Sequence, residues 1–409
     1  MNIYNKYLPT IISDYSALHL LFFDRSATLI LLSPGGCNQP TREVDEYRNF
    51  ENAKHYTTKL NDAHVAIGIE NVLNEEILSN IDLKSEFIVI IGTAVTNIIG
   101  TDLFDISKKI ENITKKPVIY FNSSAFETYS KILSEAYQKM YRFICESNEN
   151  DDKMINKKIN LIGFNSIIHG HERFLEELIT LLENDDFTIC LDGKNQINNT
   201  NNKLSTKACL TLVLSEESIS LAELLKKDAQ IPYEKILPVS KKGVNDLYRI
   251  IQKYCGTKFN HIHEYTNNDK FIVDNRKKLL IIGEPFLLIN LKNSLSVDFE
   301  INNVTLLCLS EKNILIKNFS DDIYNQVIFS TNEKKVLELL SLADVIICDP
   351  LIKEVFTQID EKAFVPLPFF GLSGREYADI DYDYIGMKGF EFLKKQFIKT
   401  GVIKDNEKN

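Results

Sequence analysis

The sequence predicts an α/β protein of three domains, each built on a doubly wound parallel sheet. Short runs rich in valine and isoleucine alternate with amphipathic helical segments along the whole chain, a pattern typical of βαβ units. Polar stretches without periodicity interrupt this alternation twice. They divide the chain into predicted domains at residues 1–150, 151–270 and 271–409.

The first domain opens the alternation. Strands are predicted at 27–33, 64–69, 86–92 and 116–121, because these runs are short, apolar and rich in Val and Ile. Helical segments lie between them. The stretch 124–144 predicts the helix that closes the domain.

The second domain repeats the scheme with a clearer helix. The apolar face of the helix at 171–185 is formed by Phe174, Leu175, Leu178, Ile179 and Leu182. Further elements are predicted from apolar runs and helical periodicity: strands at 159–167, 187–193 and 207–215, a helix at 218–229, an extended segment at 233–239, and a helix at 244–256 that stops at Gly256.

The third domain is predicted from the same alternation. Its elements are strands at 277–285, 303–310 and 344–350, a helix at 332–343, a crossing at 364–371 and a final helix at 387–398. Parallel sheets of this kind bind ligands in crevices beyond the carboxyl ends of their strands. We therefore expect ligands at these edges.

Composition limits the class of partner. Hydrophobic residues make up 44% of the 409 residues, enough for several cores. The net charge of −10 argues against a nucleic-acid partner, because neutralising phosphates requires basic patches. The first residues lack a secretory signal, and no uncharged apolar run reaches the roughly 18 residues of a membrane span. We expect a cytoplasmic protein without a membrane partner.

The cysteines suggest one candidate ligand. Seven are scattered along the chain, which does not indicate a disulfide framework. Cys190, Cys209, Cys308 and Cys348 lie in apolar runs and are predicted to be buried, reduced thiols. Cys37 instead follows two glycines at a strand end. Such a turn brings a thiolate close to a bulky inorganic group, although an ordinary thiol in a tight turn fits the same residues.

Other polar motifs are weaker. The sequence HGHE at 169–172 could hold a metal, but an exposed loop opening a helix is the favoured interpretation. HIHEY at 261–265 is interpreted as linker. Asp102 is favoured as a helix cap over a catalytic acid. Arg375 could pair with a substrate carboxylate, but it and Glu376 are favoured as solvated loop charges.

Five segments, in order along the chain, resemble the component 1 family of nitrogenases and nitrogenase-like reductases. They are LLSPGGC (31–37), IGIENVLNEEI (67–77), IGTAVTNIIGTDL (91–103), AQIPYEKILPVSKKGVNDLYRII (229–251) and DYDYIGMKGFEFLKK (381–395). Each subunit of that family has three Rossmann-like domains. The resemblance therefore implies a nitrogenase component 1-like fold of three Rossmann-like domains with parallel sheets.

The resemblance also implies an iron–sulfur cluster at a subunit interface, held by thiolates. The family's catalytic subunits usually offer three cysteines in the first domain. Here residues 1–36 contain none, Cys37 occupies the second position, and Ala94 stands at the third. A [4Fe–4S] cluster normally needs four ligands, so a partner subunit would have to supply three, as in the protochlorophyllide reductases. A symmetric pair would supply only two Cys37 thiolates.

The larger nitrogenase cofactor is not expected. Its cysteine would fall around Val213 to Ser215, and its histidine near Glu376. Neither position carries the required residue, and no histidine follows His263. The resemblance thus implies a nitrogenase-like reductase without an FeMo cofactor.

The resemblance implies a reductase subunit with Cys37 as metal ligand and Gly35 and Gly36 beside it at the cofactor. Electrons would arrive from an ATP-dependent Fe–S reductase through a cluster shared with a homologous component 1 subunit, in a hetero- or homo-oligomer. The substrate would be organic, with a tetrapyrrole as one candidate. The alternative is a non-catalytic scaffold or ligand-binding protein without a cluster. A third, weaker interpretation is an unrelated Rossmann-repeat enzyme such as a sugar transferase.

Overall fold

The computed structural model describes most of the chain, in blocks separated by gaps. The described residues are 2–3, 8, 18, 21–22, 27–35, 54–69, 76–82, 84–122, 129–145, 155–165, 169, 173–191, 203–256, 270–310, 324–368 and 383–405.

Within these residues the chain forms three parallel sheets. Their strands, in chain order, are β1 (Ala27–Leu32), β2 (His55–Thr57), β3 (Phe87–Gly92) and β4 (Val118–Phe121); β5 (Ile155–Ile162), β6 (Thr188–Leu191), β7 (Ala208–Val213) and β8 (Tyr233–Lys235); and β10 (Leu279–Ile282), β11 (Val304–Cys308), β12 (Val327–Phe329), β13 (Val345–Cys348) and β14 (Ala363–Pro366). The spatial orders are β2-β1-β3-β4, β6-β5-β7-β8 and β12-β11-β10-β13-β14. An antiparallel pair, β9 (Phe271–Val273) with β15 (Ile403–Asp405), brings the last described residues beside the third sheet.

Helices connect the strands. They are α1 (Asp62–Ile67), α2 (Ala94–Ile98), α3 (Leu103–Thr114), α4 (Tyr129–Ile144), α5 (Arg173–Glu183), α6 (Ile219–Ala229), α7 (Ser240–Cys255), α8 (Pro285–Asp298), α9 (Glu333–Leu342), α10 (Pro350–Val355) and α11 (Gly386–Lys399). No helix of the described chain is both long enough and apolar enough to cross a bilayer.

One predicted strand is wrong. Residues 64–69 were expected to pair in the first sheet, but residues 62–67 form α1. Asn61 accepts hydrogen bonds from the backbone N–H groups of Ala63 (3.0 Å) and His64 (3.2 Å), which satisfies amide groups at the helix start. The sheet position belongs instead to β2, which pairs with β1. The remaining apolar runs 27–33, 86–92 and 116–121 form strands as predicted.

The hydrophobic cores are continuous between sheets. One cluster of buried side chains joins Leu29 and Val89 of the first sheet to Val213 of the second sheet and Leu221 of α6. Another contains Phe174 and Leu237 together with the strands and flanking helices of the third sheet. Side chains that follow the carboxyl ends of different sheets can therefore meet at shared junctions.

Candidate functional site at the strand ends

Each sheet has one strand at which the chain order reverses. These strands are β1, β5 and β10, since the next strands in sequence lie on opposite sides of them. Ligands of open α/β sheets bind in the crevice beyond the carboxyl ends of such strands. The loops that follow β1, β5 and β10, and the strands beside them, are therefore the candidate sites.

The crevice of the first sheet is closely hydrogen-bonded. Thr93, directly after β3, donates from Oγ1 to the carbonyl oxygen of Leu32 at 2.9 Å. The backbone N–H of Ser33 donates to Oγ1 of Thr58, which follows β2, at 2.9 Å. Ser33, Thr58 and Thr93 are all at most 3% exposed. The start of the turn after β1 is thus fixed by the loops on both sides.

The predicted cofactor residues follow this fixed point. Gly35 lies in an exposed turn, and a Cβ placed there would meet no heavy atom within 4 Å. Gly36 and Cys37 lie outside the described residues. Ala94, where the resemblance would place a third cysteine, begins α2 directly after Thr93. Asp102 caps α3 by accepting from the backbone N–H of Asp105 at 3.0 Å, as predicted.

The thiols of the described residues do not form a metal-binding set. Cys190, Cys308 and Cys348 are buried in strands, and no group of three or more His, Cys, Asp or Glu side chains is arranged for a metal within the part of the chain that the structure describes. Cys37 alone is one thiolate, which does not fit a cluster needing four. Its role as one ligand of a cluster completed by another subunit stays a prediction.

Cys209 is not the reduced thiol that its apolar run predicted. It forms a disulfide with Cys255, 46 residues further on, with a Cα–Cα distance of 5.6 Å. The expectation was wrong because the two cysteines are remote in sequence, and only the packing of α7 against β7 brings them together.

A second crevice lies where the second and third sheets meet. Its cavity volume is about 20 Å³, which is room for about one water molecule. The polar lining consists of His169, Ser215, Glu216, Glu217, Glu284 and Tyr384. Glu216 follows β7 and Glu284 follows β10, so the carboxyl ends of two sheets contribute acidic groups to one cavity.

His169 was favoured as an exposed loop residue, but it is 5% exposed. Its Nδ1 accepts from the N–H of Asn165 at 3.1 Å, and its Nε2 lies 3.1 Å from the carbonyl oxygen of Leu214. These contacts fit a neutral ring that donates from Nε2. Burial lowers the pKa of His169 to about 4, despite the two backbone hydrogen bonds. His171 and Glu172 lie outside the described residues, so the metal site that was the less favoured interpretation of this motif stays untested.

The carboxylates of the junction repel one another. Burial, followed by the neighbouring charges of Glu217 and Glu284, raises the pKa of Glu216 to about 8, with Lys235 opposing the shift. Its Oε1 atom is buried and accepts no hydrogen bond from any described residue. Burial also raises the pKa of Glu217, although Ser130 donates to its Oε1 at 2.9 Å. The cavity therefore holds a neutral carboxyl at neutral pH, which can donate a hydrogen bond or a proton.

Sequence reasoning missed these carboxylates. A signal was available, because Glu216 and Glu284 each lie within three residues of the end of a buried Val/Ile/Leu run. Arg375 and Glu376, the loop charges that were considered, lie outside the described residues. The linker motif at 261–265 does so too.

A hydrogen-bonded latch joins the second and third sheets beside the cavity. Val239 and Ile385 form an antiparallel bridge. The N–H of Ser240 donates to the carbonyl of Tyr384 at 3.0 Å, and the N–H of Gly386 donates to that of Pro238 at 2.9 Å. The segments 229–251 and 381–395, each quoted above for the family resemblance, thus meet at this point.

This arrangement of three doubly wound parallel sheets, with crevices at their switch points, defines an α/β protein of Rossmann-like units. The family model of nitrogenase component 1 type oxidoreductases matches residues 25–340, and the chain belongs to that family. The fold is similar to solved structures of nitrogenase Cp1 at pH 6.5 (TM-score 0.68, 16% identity, 95% of this chain and 91% of that one) and at pH 5 (0.69, 15%, 95% and 89%). No curated protein sequence matches significantly.

Proposed function

We propose that this chain is a subunit of a nitrogenase-like reductase. It accepts electrons from an ATP-dependent Fe–S reductase through an iron–sulfur cluster at a subunit interface, and it reduces an organic substrate, with a tetrapyrrole as one candidate. The observation that supports the proposal is the turn after β1 at the switch point of the first sheet, where Gly35 is described and Gly36 and Cys37 follow in the sequence.

The cysteines of this chain support a cluster that is shared with another subunit. Cys37 would supply one ligand, and a homologous component 1 subunit would supply three. When bound, a cluster of this type transfers single electrons. This chain's contribution at the first sheet is to fix the turn that carries the thiolate, through the hydrogen bonds of Thr93 and Thr58.

In this proposal, the junction of the second and third sheets supplies a proton for the reduction, because its cavity holds about one water molecule and not the substrate itself. A neutral Glu216 can donate a hydrogen bond or a proton to a water molecule there. Burial holds His169 neutral, and the residue positions the loop that carries it, since its carbonyl oxygen accepts from Oη of Tyr384 at 3.1 Å. Phe286 and Leu287 add apolar surface to the lining of this cavity.

The second candidate is a scaffold or ligand-binding protein without a cluster. The specific observation in its favour is that cysteines are missing at two of the three cluster positions: residues 1–36 carry none, and position 94 is alanine. Such a protein would act without redox chemistry.

Anaerobic co-purification distinguishes the two candidates. The chain is co-expressed with the proteins encoded beside it, and visible absorbance is followed after addition of an Fe–S reductase with ATP or with a non-hydrolysable analogue. A reductase subunit co-purifies with a homologous partner, and its absorbance bleaches only with ATP. A chain that stays colourless with every neighbour supports the scaffold.

A further inference from the structure

The disulfide lies at one end of a helix that joins two sheets. Cys209 is on β7 of the second sheet, and Cys255 is the last residue of α7. The two residues are 1% and 4% exposed, and their Cα separation of 5.6 Å is ordinary for a disulfide. The bond therefore fixes the C-terminal end of α7 to the second sheet.

The other end of α7 belongs to the latch. Ser240, its first residue, donates from Oγ to Oδ2 of Asp298 at 2.5 Å, and the N–H of Lys242 donates to the same oxygen at 3.1 Å. Ser294 donates from Oγ to the carbonyl of Val239 at 2.7 Å. Asp298 and Ser294 lie on α8 of the third sheet. One 16-residue helix thus connects the disulfide to the contacts that hold two sheets together.

We propose that Cys209–Cys255 is a reversible redox site that reacts with dithiols and controls how firmly the latch holds. With the bond formed, α7 is anchored at both ends and the latch amides are protected. With the bond reduced, the C-terminal end of α7 is no longer cross-linked to β7, and the latch opens more often. This inference does not depend on the electron-transfer function proposed above.

The proposed reaction is a thiol–disulfide exchange, and the dithiol supplies its electrons and protons. A dithiol attacks one sulfur through its thiolate, the S–S bond of the protein breaks, and a mixed disulfide forms. The second thiol of the reagent then displaces the protein sulfur. Two electrons and two protons pass to the protein, which ends with two thiols, while the reagent ends as a cyclic disulfide.

Access to the bond is through the last turn of α7. Cys255 precedes Gly256, where the helix ends in a left-handed conformation. That turn is held to β8 by Glu234, which accepts from Oη of Tyr254 at 2.5 Å and from Nζ of Lys253 at 3.3 Å. Opening of this turn exposes Sγ of Cys255 while Cys209 stays inside the sheet. We therefore expect Cys255 to be the sulfur that is attacked.

The first test counts thiols. The full chain is exposed to glutathione disulfide or to dithiothreitol, denatured, alkylated and weighed by mass spectrometry. Five of the seven cysteines should be alkylated after oxidation and all seven after reduction. Seven alkylated cysteines in both samples would show that the bond does not form, and would overturn the proposal.

The second test measures the hydrogen exchange of the latch amides. Reduction of the wild-type chain should speed exchange of the Ser240 and Gly386 amides at least about tenfold and lower the Tm by roughly 5 °C or more. The double variant Cys209→Ala/Cys255→Ala should exchange quickly with or without dithiothreitol. Cys348→Ala, which removes a buried thiol of the third sheet, should keep the response.

A purely structural cross-link gives a different result. The bond would then be present and the Tm would fall on reduction, but exchange at Ser240 and Gly386 would be equal in the two states. That result would overturn the switch, and it can be obtained from the wild-type chain alone if the double variant does not fold.

Discussion

Thr93 Oγ1 donates a hydrogen bond of 2.9 Å to the carbonyl oxygen of Leu32, across 61 residues of sequence. The contact ties the loop after β3 to the end of β1, at the crevice from which the turn toward Cys37 departs. The backbone N–H of Thr93 also donates a hydrogen bond to Oγ1 of Thr96 at 2.8 Å. These hydrogen bonds hold the crevice in one arrangement.

Thr93→Val should destabilise the chain by about 1–2 kcal/mol, because the carbonyl of Leu32 loses its hydroxyl donor inside the protein. Urea unfolding measures this difference. Thr93→Ser keeps the hydroxyl and should recover most of the loss. Equal destabilisation by both variants would show that the methyl packing of Thr93, not the hydrogen bond, matters.

Acidification should weaken the fold through His169. Its pKa is about 4 in the folded chain against 6.5 ordinarily, so below pH 6.5 the unfolded chain binds the extra proton. Stability from this group is complete above pH 6.5 and falls as pH drops toward 4, by about 3 kcal/mol in all. His169→Gln should lower stability at pH 7.5 and show a smaller further loss by pH 5. An unchanged loss would contradict the burial of the neutral ring.

Glu216 should change the pH dependence of stability in the direction opposite to His169. Its pKa is about 8 folded against 4.5 ordinarily, so the folded chain binds the extra proton between these values. Stability from Glu216 is complete below pH 4.5 and is lost as pH rises through 8, by a few kcal/mol. Burial is the main cause of this raised pKa; the charges of Glu217 and Glu284 add to it, and that of Lys235 opposes it.

Glu216→Gln should remove this term and make the chain less sensitive to pH between 6 and 8.5. Thermal unfolding of both proteins across that range is the measurement. If the two proteins lose stability in parallel, Glu216 is ionised in the folded chain, and it cannot be the neutral donor of the cavity.

Gly389 is required by close packing. A Cβ there would lie 2.2 Å from the carbonyl carbon of Tyr384, so Gly389→Ala should displace the start of α11 and cost about 2–3 kcal/mol. Gly283→Ala is the matched control, since its Cβ would meet nothing closer than 3.6 Å. Similar unfolding free energies for the two variants would contradict this packing.

Much of the fold could be predicted from local sequence. Buried parallel strands such as β1, β3 and β13 are continuous apolar runs, and Gly256 ends α7 in a left-handed conformation as predicted. The error at 64–69 arose because Val65, Ala66 and Ile67 resemble a strand, whereas the cap at Asn61 decides for a helix. Hydrophobicity alone does not distinguish the two in so short a run.

The candidate site was harder to predict because its parts are distant in sequence. The pairing of Cys209 with Cys255, the burial of His169 under Leu214 and the meeting of Glu216 with Glu284 all depend on how the sheets pack together. The sequence marks each residue as lying near a strand or helix end. The sequence does not show which of these strand and helix ends lie together in the fold.

The most direct test of the central claim is the iron content of the complex purified anaerobically with its partner subunit. Wild type, Cys37→Ala and the control Cys348→Ala are compared for iron, acid-labile sulfide and visible absorbance. We predict that wild type and the control contain a cluster and that Cys37→Ala loses most of it. Equal iron in all three proteins, or none in any, would contradict a cluster ligated by Cys37.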